Sequence, residues 1–136
     1  MSHGSPARPT NSELEILRVL WDRGPATVRD VHEVISAGKP GVTGYTTILK
    51  LMQIMTEKGL LERDEAERAH VYKPKAAREK TQRAIVGHML DRVFSGSAAD
   101  MMMQALASKP TSAAEIREMR ELLKRYEKEQ KQGGKQ

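Results

Sequence analysis

The feature that most constrains the fold of this chain is a change of hydrophobic period at residues 60–74. Residues 60–63 and 69–73 alternate as two β-strands around a polar turn at 64–68, and Pro74 ends the second strand. The segments before and after this hairpin have helical spacing. Three helices followed by a hairpin is the order of a winged helix-turn-helix. We therefore predict a mainly α fold with a small β-hairpin wing, followed by a C-terminal helical dimerisation region.

Three helices are predicted before the hairpin, over residues 12–23, 27–36 and 43–58. Asn11 or Ser12 can cap the first helix, because their side chains accept hydrogen bonds from backbone N–H groups. Thr27 and Asp30 have the spacing of a capping box at the start of the second helix, and Gly59 ends the third. The residues predicted to face inward are Leu14, Leu17, Trp21, Val28, Val31, Val34, Ile35, Ile48, Leu51, Met52 and Met55.

The outward face of the third helix is polar and carries one cation. The major groove of B-DNA admits an α-helix and presents hydrogen-bond patterns together with the thymine methyl group. Thr47 suits such a surface, Lys50 can reach a guanine edge or a phosphate, and Gln53 can pair with adenine. The N-terminus of this helix offers free N–H groups to a phosphate, and the wing offers further contacts. The predicted DNA-binding residues are Thr43, Gly44, Tyr45, Thr46, Thr47, Lys50, Gln53, Arg68 and His70.

The chain after Pro74 is helical again and is broken twice, at residues 95–97 and 109–110. Because one small winged helix cannot cover three amphipathic segments, we predict that they pack against the same segments of a second copy. The predicted dimerisation residues are Ile85, Met89, Val93, Met101, Met102, Leu106, Ile116, Met119, Leu123 and Tyr126. The predicted division is a flexible arm at 1–10, a winged helix at 11–75, a helical dimerisation domain at 76–127 and a disordered tail at 128–136.

The charge of the chain favours a polyanionic partner, since the formal net charge is +5 and the pI is about 9.6. The balance is uneven along the sequence. Residues 1–75 carry 11 basic and 10 acidic side chains, whereas residues 76–136 carry 12 and 8. The excess therefore falls in the region assigned to dimerisation rather than in the region assigned to DNA.

Several classes of function are not expected. The sequence has no cysteine, which excludes disulfides, thiolate metal clusters and thiol nucleophiles. His32 and His88 have no second ligand four residues away, so we predict no metal site and no cofactor. No nucleophile–base pair, carboxylate pair or Gly-rich phosphate loop is visible, and we do not expect an enzyme. No secretory signal is visible and no apolar run approaches the ~20 residues of a membrane span, so we expect a cytoplasmic protein.

The motifs, taken in order, resemble the BlaI/MecI/CopY (penicillinase repressor) family of winged-helix regulators. Residues 44–52 and 57–61 are similar to the recognition helix of that family, and residues 68–74 are similar to its wing. The residues that carry the rest of the likeness are Glu13-Leu14-Glu15-Ile16-Leu17 with Leu20-Trp21, the break Phe94-Ser95-Gly96-Ser97, and the closing stretch from Glu115 to Leu123. The likeness covers about residues 11–125, and it is the order of the pieces that makes it specific.

This resemblance implies a homodimeric repressor that binds an inverted repeat over a promoter. In the antibiotic-responsive members, a membrane sensor-protease detects a β-lactam and the repressor is cleaved in its dimerisation region, which weakens the dimer and releases the DNA. The cleavage position maps near Gln104 and Ala105, where this chain differs from the Asn-Phe pair of the well-known members. The copper-responsive members carry paired C-terminal cysteines, so this cysteine-free chain does not sense copper by that route.

Two other functions remain open from the sequence. One is a ligand-responsive regulator of the MarR kind, which normally has helices before as well as after the winged helix; only about ten residues precede the first helix here. The other is a winged-helix module for protein interaction or assembly that does not bind DNA. Ligand titration separates the first alternative from a partner-controlled repressor, and selection from a random duplex library separates the second.

Overall fold

The structure is a computed structural model that describes residues 8–38, 43–66 and 68–133. Its elements, in order, are α1 (Asn11–Arg23), α2 (Val28–Gly38), α3 (Tyr45–Glu57), β1 (Leu61–Asp64), β2 (Val71–Pro74), α4 (Arg78–Val93), α5 (Ala98–Ser108) and α6 (Ala113–Gly133). The predicted order of three helices, a hairpin and further helices is confirmed. Of the predicted loop at 37–41, Ala37 and Gly38 instead belong to α2, and the remainder lies outside the described residues.

The N-terminus of α1 is capped by Thr10, so the prediction of Asn11 or Ser12 is wrong by one or two positions. The Thr10 hydroxyl accepts a hydrogen bond from the Glu13 N–H at 3.2 Å, and Glu13 Oε1 accepts one from the Thr10 N–H at 2.9 Å. The same reciprocal bonds join Thr27 and Asp30, at 3.1 and 3.2 Å, which confirms the predicted capping box. Both helices therefore begin where two otherwise unpaired backbone donors are satisfied.

The position of the first cap can be tested by comparing Thr10→Ala with Ser12→Ala. We expect Thr10→Ala to lower the free energy of unfolding by about 1 kcal/mol, because it removes the side-chain acceptor of the cap. Ser12→Ala alters an exposed side chain outside the cap and should change the free energy of unfolding by less than about 0.5 kcal/mol. Urea denaturation followed by the fluorescence of Trp21 measures both values. A larger loss for Ser12→Ala would contradict the observed cap.

One hydrophobic core joins α1, α2, α3 and the hairpin. Its buried members are Ile16, Leu17, Leu20, Ala26, Val28, Val31, Ile35, Ile48, Met52, Met55, Leu60, Leu61 and Tyr72. The predicted stripe on α1 is only partly correct, because Glu13 faces inward while Leu14 and Trp21 are half-buried. Val34 was expected to face inward but is 42% exposed. Ile35, also predicted to face inward, is buried as expected, and Val34 points elsewhere since consecutive residues of an α-helix lie about 100° apart.

The hairpin is attached to the connection between α1 and α2. Strands β1 and β2 pair antiparallel. The first begins one residue later than predicted and the second begins two residues later. Tyr72 is buried in β2 and exchanges two backbone hydrogen bonds with Ala26, of 2.8 and 3.0 Å. No pattern in the sequence predicts this bridge, which ties the base of the wing to the start of the second helix. Gly59 precedes the hairpin with φ +85°, a conformation that favours glycine and confirms the predicted end of the third helix.

The chain divides into two compact units between Met89 and Leu90. The start of α4 belongs to the first unit, where Thr81 is buried. In the second unit α6 continues to Gly133, so residues 128–133 are helical where disorder was expected. Of the predicted flexible arm, residues 1–7 lie outside the described part of the chain, as do residues 134–136 of the tail.

Candidate nucleic-acid interface

The third helix, α3, presents two chemically different faces. Ile48, Met52 and Met55 are at most 1% exposed and fix this helix to the core. The opposite face exposes four polar side chains, those of Thr46, Thr47, Lys50 and Gln53. Because the buried face holds the helix in place, the polar face is displayed on a rigid support rather than on a mobile loop.

The N-terminus of α3 lacks the side-chain cap that four other helices have. Side-chain oxygens cap α1, α2, α5 and α6, from Thr10, Thr27, Ser97 and Ser112. The N-cap of α3 is Gly44, which has extended backbone angles and no side-chain cap. The first backbone N–H groups of α3 are therefore not satisfied by a capping side chain, and the positive end of the helix dipole lies beside them. Thr43 is half-buried just before this helix, and Gly44 is exposed.

Tyr45 stands at the same end of α3 and is oriented by α2. Its side chain is 46% exposed, and its ring meets the His32 ring edge-to-face, with 5.8 Å between the ring centres. His32 Nε2 and Ser36 Oγ are hydrogen-bonded at 3.1 Å, which holds the imidazole against α2. No functional role was predicted for His32 from the sequence. No local pattern indicates that its ring would contact the ring of Tyr45. A phenol held this way keeps its hydroxyl available to an incoming acceptor.

The wing exposes Arg68 and His70 between the two strands. Arg63, by contrast, is engaged within the hairpin. A hydrogen bond with Tyr72 and the Glu65 carboxylate, whose oxygen lies 2.6 Å from the Arg63 guanidinium, raise the pKa of Arg63. This arginine is therefore engaged within the hairpin, whereas the side chains of Arg68 and His70 are exposed.

The residues predicted for dimerisation lie on α4, α5 and α6, and none of them is buried. Neither α5 nor α6 contains a buried residue of any kind. Large apolar side chains are exposed along both helices, to between 39% and 58%, namely Met102, Met103, Leu106, Ile116, Leu122, Leu123 and Tyr126. On α4, Ile85 is half-buried, Met89 is 38% exposed and Val93 is 66% exposed. Apolar exposure on this scale is typical of a surface that another protein covers.

The residues near the proposed cleavage position are exposed on α5. Gln104 and Ala105 lie in the middle of this helix, and the Gln104 carbonyl accepts a hydrogen bond from Ser108 Oγ at 2.6 Å. Within the described residues, no group of three or more His, Asp or Glu side chains is placed to hold a metal ion. None of the helices described here has the length and apolarity needed to cross a bilayer.

Comparison with known proteins places these features in a family. Residues 9–125 match the family model described as penicillinase repressor. The chain is 35% identical over 80 residues to a transcriptional regulator BlaI of Mycobacterium tuberculosis, an alignment that covers 58% of this chain and 54% of that protein. It is 23% identical over 123 residues to a penicillinase repressor of Bacillus licheniformis, covering 90% of this chain and 94% of that protein.

A solved structure is also similar. The solution structure of the DNA binding domain of the repressor BlaI shares 23% sequence identity, with a TM-score of 0.47. This match covers 57% of the present chain and 90% of the solved one. The alignment to the Mycobacterium tuberculosis relative spans about half the length of that protein.

Proposed function

This chain belongs to the penicillinase repressor family, and from that premise we propose that it represses transcription as a homodimer bound to an inverted-repeat operator in the cytoplasm. The observation that carries the proposal is the polar face of α3. Thr46, Thr47, Lys50 and Gln53 are exposed there while the opposite face of the helix is anchored in the core. A helix anchored on one side and polar on the other is the form that enters a major groove.

Each part of the first unit has a role in this proposal. Thr47, Lys50 and Gln53 read base edges, while the uncapped N–H groups after Gly44 bind a phosphate oxygen. Tyr45, held by His32, donates a hydrogen bond to the backbone beside that phosphate. The remaining predicted residues assist: Thr43 and Thr46 beside the first turn of α3, and Arg68 and His70 where the wing meets the neighbouring backbone or minor groove.

The second unit supplies the dimer. The exposed apolar side chains of α5 and α6 bury one another across a two-fold axis, which removes their cost of exposure to water. Two winged helices related by this axis then meet half-sites about one helical turn of DNA apart, or a multiple of that distance. Joining the two contacts gives an affinity that neither half reaches alone.

Release of the operator follows from cleavage in the second unit. A cut between Gln104 and Ala105 severs α5 and separates α6 from the rest of the chain. Most of the exposed apolar surface is removed with α6, so the dimer dissociates and DNA is released by mass action. A membrane sensor-protease is the partner we propose for this step.

The experiment that tests the proposal is selection from a random duplex library at moderate salt, followed by sequencing of the retained DNA. We expect an inverted repeat with two half-sites, because a two-fold symmetric dimer imposes its symmetry on the site. Recovery of nothing above background would contradict DNA recognition, and a protein-assembly role would then replace it.

The recovered duplex allows a test of the recognition helix with the double variant Thr47→Ala/Lys50→Ala. We expect its affinity to fall to that for random duplex while the dimer persists, since each base contact contributes about 1–3 kcal/mol of discrimination. Nuclease footprinting measures the preference and sedimentation measures the dimer. The matched control is Lys109→Ala/Thr111→Ala, which changes the same two residue types between α5 and α6. An unchanged footprint for the first variant would disprove the role of α3.

A further inference from the structure

The positive charge of the first unit is concentrated in one segment. Up to Met89 the chain carries 14 basic and 11 acidic side chains. Residues 1–72 are close to balanced, with 9 basic and 10 acidic side chains, and residues 84–89 carry neither lysine, arginine, aspartate nor glutamate. The whole excess lies in residues 73–83, the basic segment, where Glu79 is the one acidic residue. The basic residues of this segment are Lys73, Lys75, Arg78, Lys80 and Arg83.

The basic segment is attached to the recognition domain rather than hanging free of it. The backbone N–H of Lys75 donates to the Leu60 carbonyl at 2.9 Å, and the Leu60 N–H donates to the Met55 carbonyl at 2.8 Å. The segment therefore starts beside the C-terminal end of α3. At its other end Thr81 is 8% exposed, so the first turns of α4 pack within the same unit. The start of the segment is therefore tied to the residues that follow the recognition helix.

The charges of the basic segment face solvent. Lys75, Lys80 and Arg83 are exposed and form no ion pair with any carboxylate of the described residues. Lys80 and Arg83 are three residues apart on α4, which puts them on the same side of the helix. The other two cations have exposed acidic neighbours at 3.7 Å (Lys73 with Glu62) and 3.9 Å (Arg78 with Glu79), pairs too solvated to cancel the local field.

We propose that the basic segment binds the DNA phosphate backbone beside the groove that α3 enters. This inference rests on the proposed function, and it supplies what the recognition face lacks. Among the residues predicted to contact DNA, the permanent cations are Lys50 and Arg68 alone. Neutralising phosphates and releasing their counterions gives the sequence-independent part of DNA affinity. Residues 73–83 are the part of the first unit whose charge is complementary to a polyanion.

The test is the salt dependence of binding for the triple variant Lys75→Gln/Lys80→Gln/Arg83→Gln. We expect weaker binding to the selected duplex and to a random duplex of equal length, with the ratio between them retained. The slope of log Kobs against log salt should become shallower by about 0.9 for each phosphate that is no longer neutralised, or about 2.7 per protomer. The matched control is Lys109→Gln/Lys128→Gln/Lys131→Gln, which removes the same charge from exposed positions of the second unit.

The outcomes are separable. Circular dichroism of both variants should match that of the unaltered chain, since all six positions are exposed. An unchanged slope in the first variant would overturn the inference, and so would an equal change in both variants, which would indicate net charge rather than this segment. If the unaltered chain bound selected and random duplexes equally, the proposed operator recognition would fail. The slopes on random duplex would still decide whether the basic segment binds phosphates.

Discussion

A chain that ends at Ser95 should fold as a monomeric winged helix and should bind the selected operator about 10²–10⁴-fold more weakly than the full chain. The fold should persist because every buried hydrophobic residue in the described part of the chain lies between Ile16 and Tyr72. Neither α5 nor α6 contributes a buried side chain to that core. The affinity should fall because the fragment retains the recognition helix but lacks α5 and α6, which carry most of the surface proposed to join two copies.

Sedimentation velocity and thermal unfolding measure the two halves of this prediction. The fragment should sediment as a monomer at concentrations where the full chain is a dimer. A duplex with a single half-site is the control, since fragment and full chain should bind it with equal affinity if recognition is intact. A fragment that remained dimeric would show that the dimer surface lies within the first 95 residues. Failure to bind the half-site would show that DNA recognition needs the second unit.

The sequence predicted the order of elements well because hydrophobic period is a local property. The split of α3 into a buried face and a polar face follows from the 3.6-residue repeat, and the structure has the same split. The capping box of Thr27 and Asp30 and the stop at Gly59 are also local, and both were predicted at their observed positions. Because these boundaries were predictable, so was the exposure of the polar residues on α3. Their contacts with DNA remain predictions.

The features that the sequence did not predict depend on contacts between distant residues. Ala26 and Tyr72 form a β-bridge that no repeat in either neighbourhood indicates. The inward turn of Glu13 depends on a partner 45 positions away, Lys58, which local pattern analysis does not detect. The basic segment was not predicted for another reason. The predicted domain boundary at residue 75 divides the segment between two domains, so its charge was counted in two parts.

The end of α6 was mispredicted because its composition is that of a disordered tail. Lys, Gln and Glu dominate residues 127–133, and the apolar stripe has ended. The helix nevertheless continues, since these residues have good helix propensity. Gln130 Nε2 donates to the Tyr126 hydroxyl at 3.0 Å, one helical turn away. Helix propensity, together with this local contact, therefore accounts for a helix where hydrophobic period gives no signal.

The contact between Glu13 and Lys58 is the polar interaction with the largest expected effect on stability. The Glu13 side chain is 3% exposed, and both of its oxygens accept hydrogen bonds from Lys58 Nζ, at 2.8 and 3.0 Å. Burial acts to raise the pKa of Glu13. Hydrogen bonds and charge from Lys58, together with hydrogen bonds from Thr10, outweigh burial and hold that pKa below its ordinary value. The pair joins the start of α1 to the end of α3.

Replacing Lys58 with Met should therefore lower the free energy of unfolding at pH 7 by about 2 kcal/mol. Breaking a buried ion pair costs about 3–5 kcal/mol, and we expect less here because the Lys58 side chain is 35% exposed and partly solvated. Urea denaturation followed by Trp21 fluorescence measures the difference. Lys80→Met is the matched control, since it makes the same change at an exposed position without an ion pair, and it should have little effect.

The loss of stability caused by Lys58→Met should depend on pH. Because the pKa of Glu13 is lowered in the folded chain, its contribution is fully present above the pKa of an unfolded glutamate, about 4.3, and is lost as pH falls through the folded value. In Lys58→Met the buried carboxylate of Glu13 has no cation beside it. As pH falls, this carboxylate should therefore become protonated at a higher pH in the variant than in the unaltered chain. The stability difference between the two should thus be greatest near pH 7 and narrow below about pH 4. A difference that stayed constant, or widened in acid, would mean that Lys58 stabilises the chain by packing rather than by its charge on Glu13.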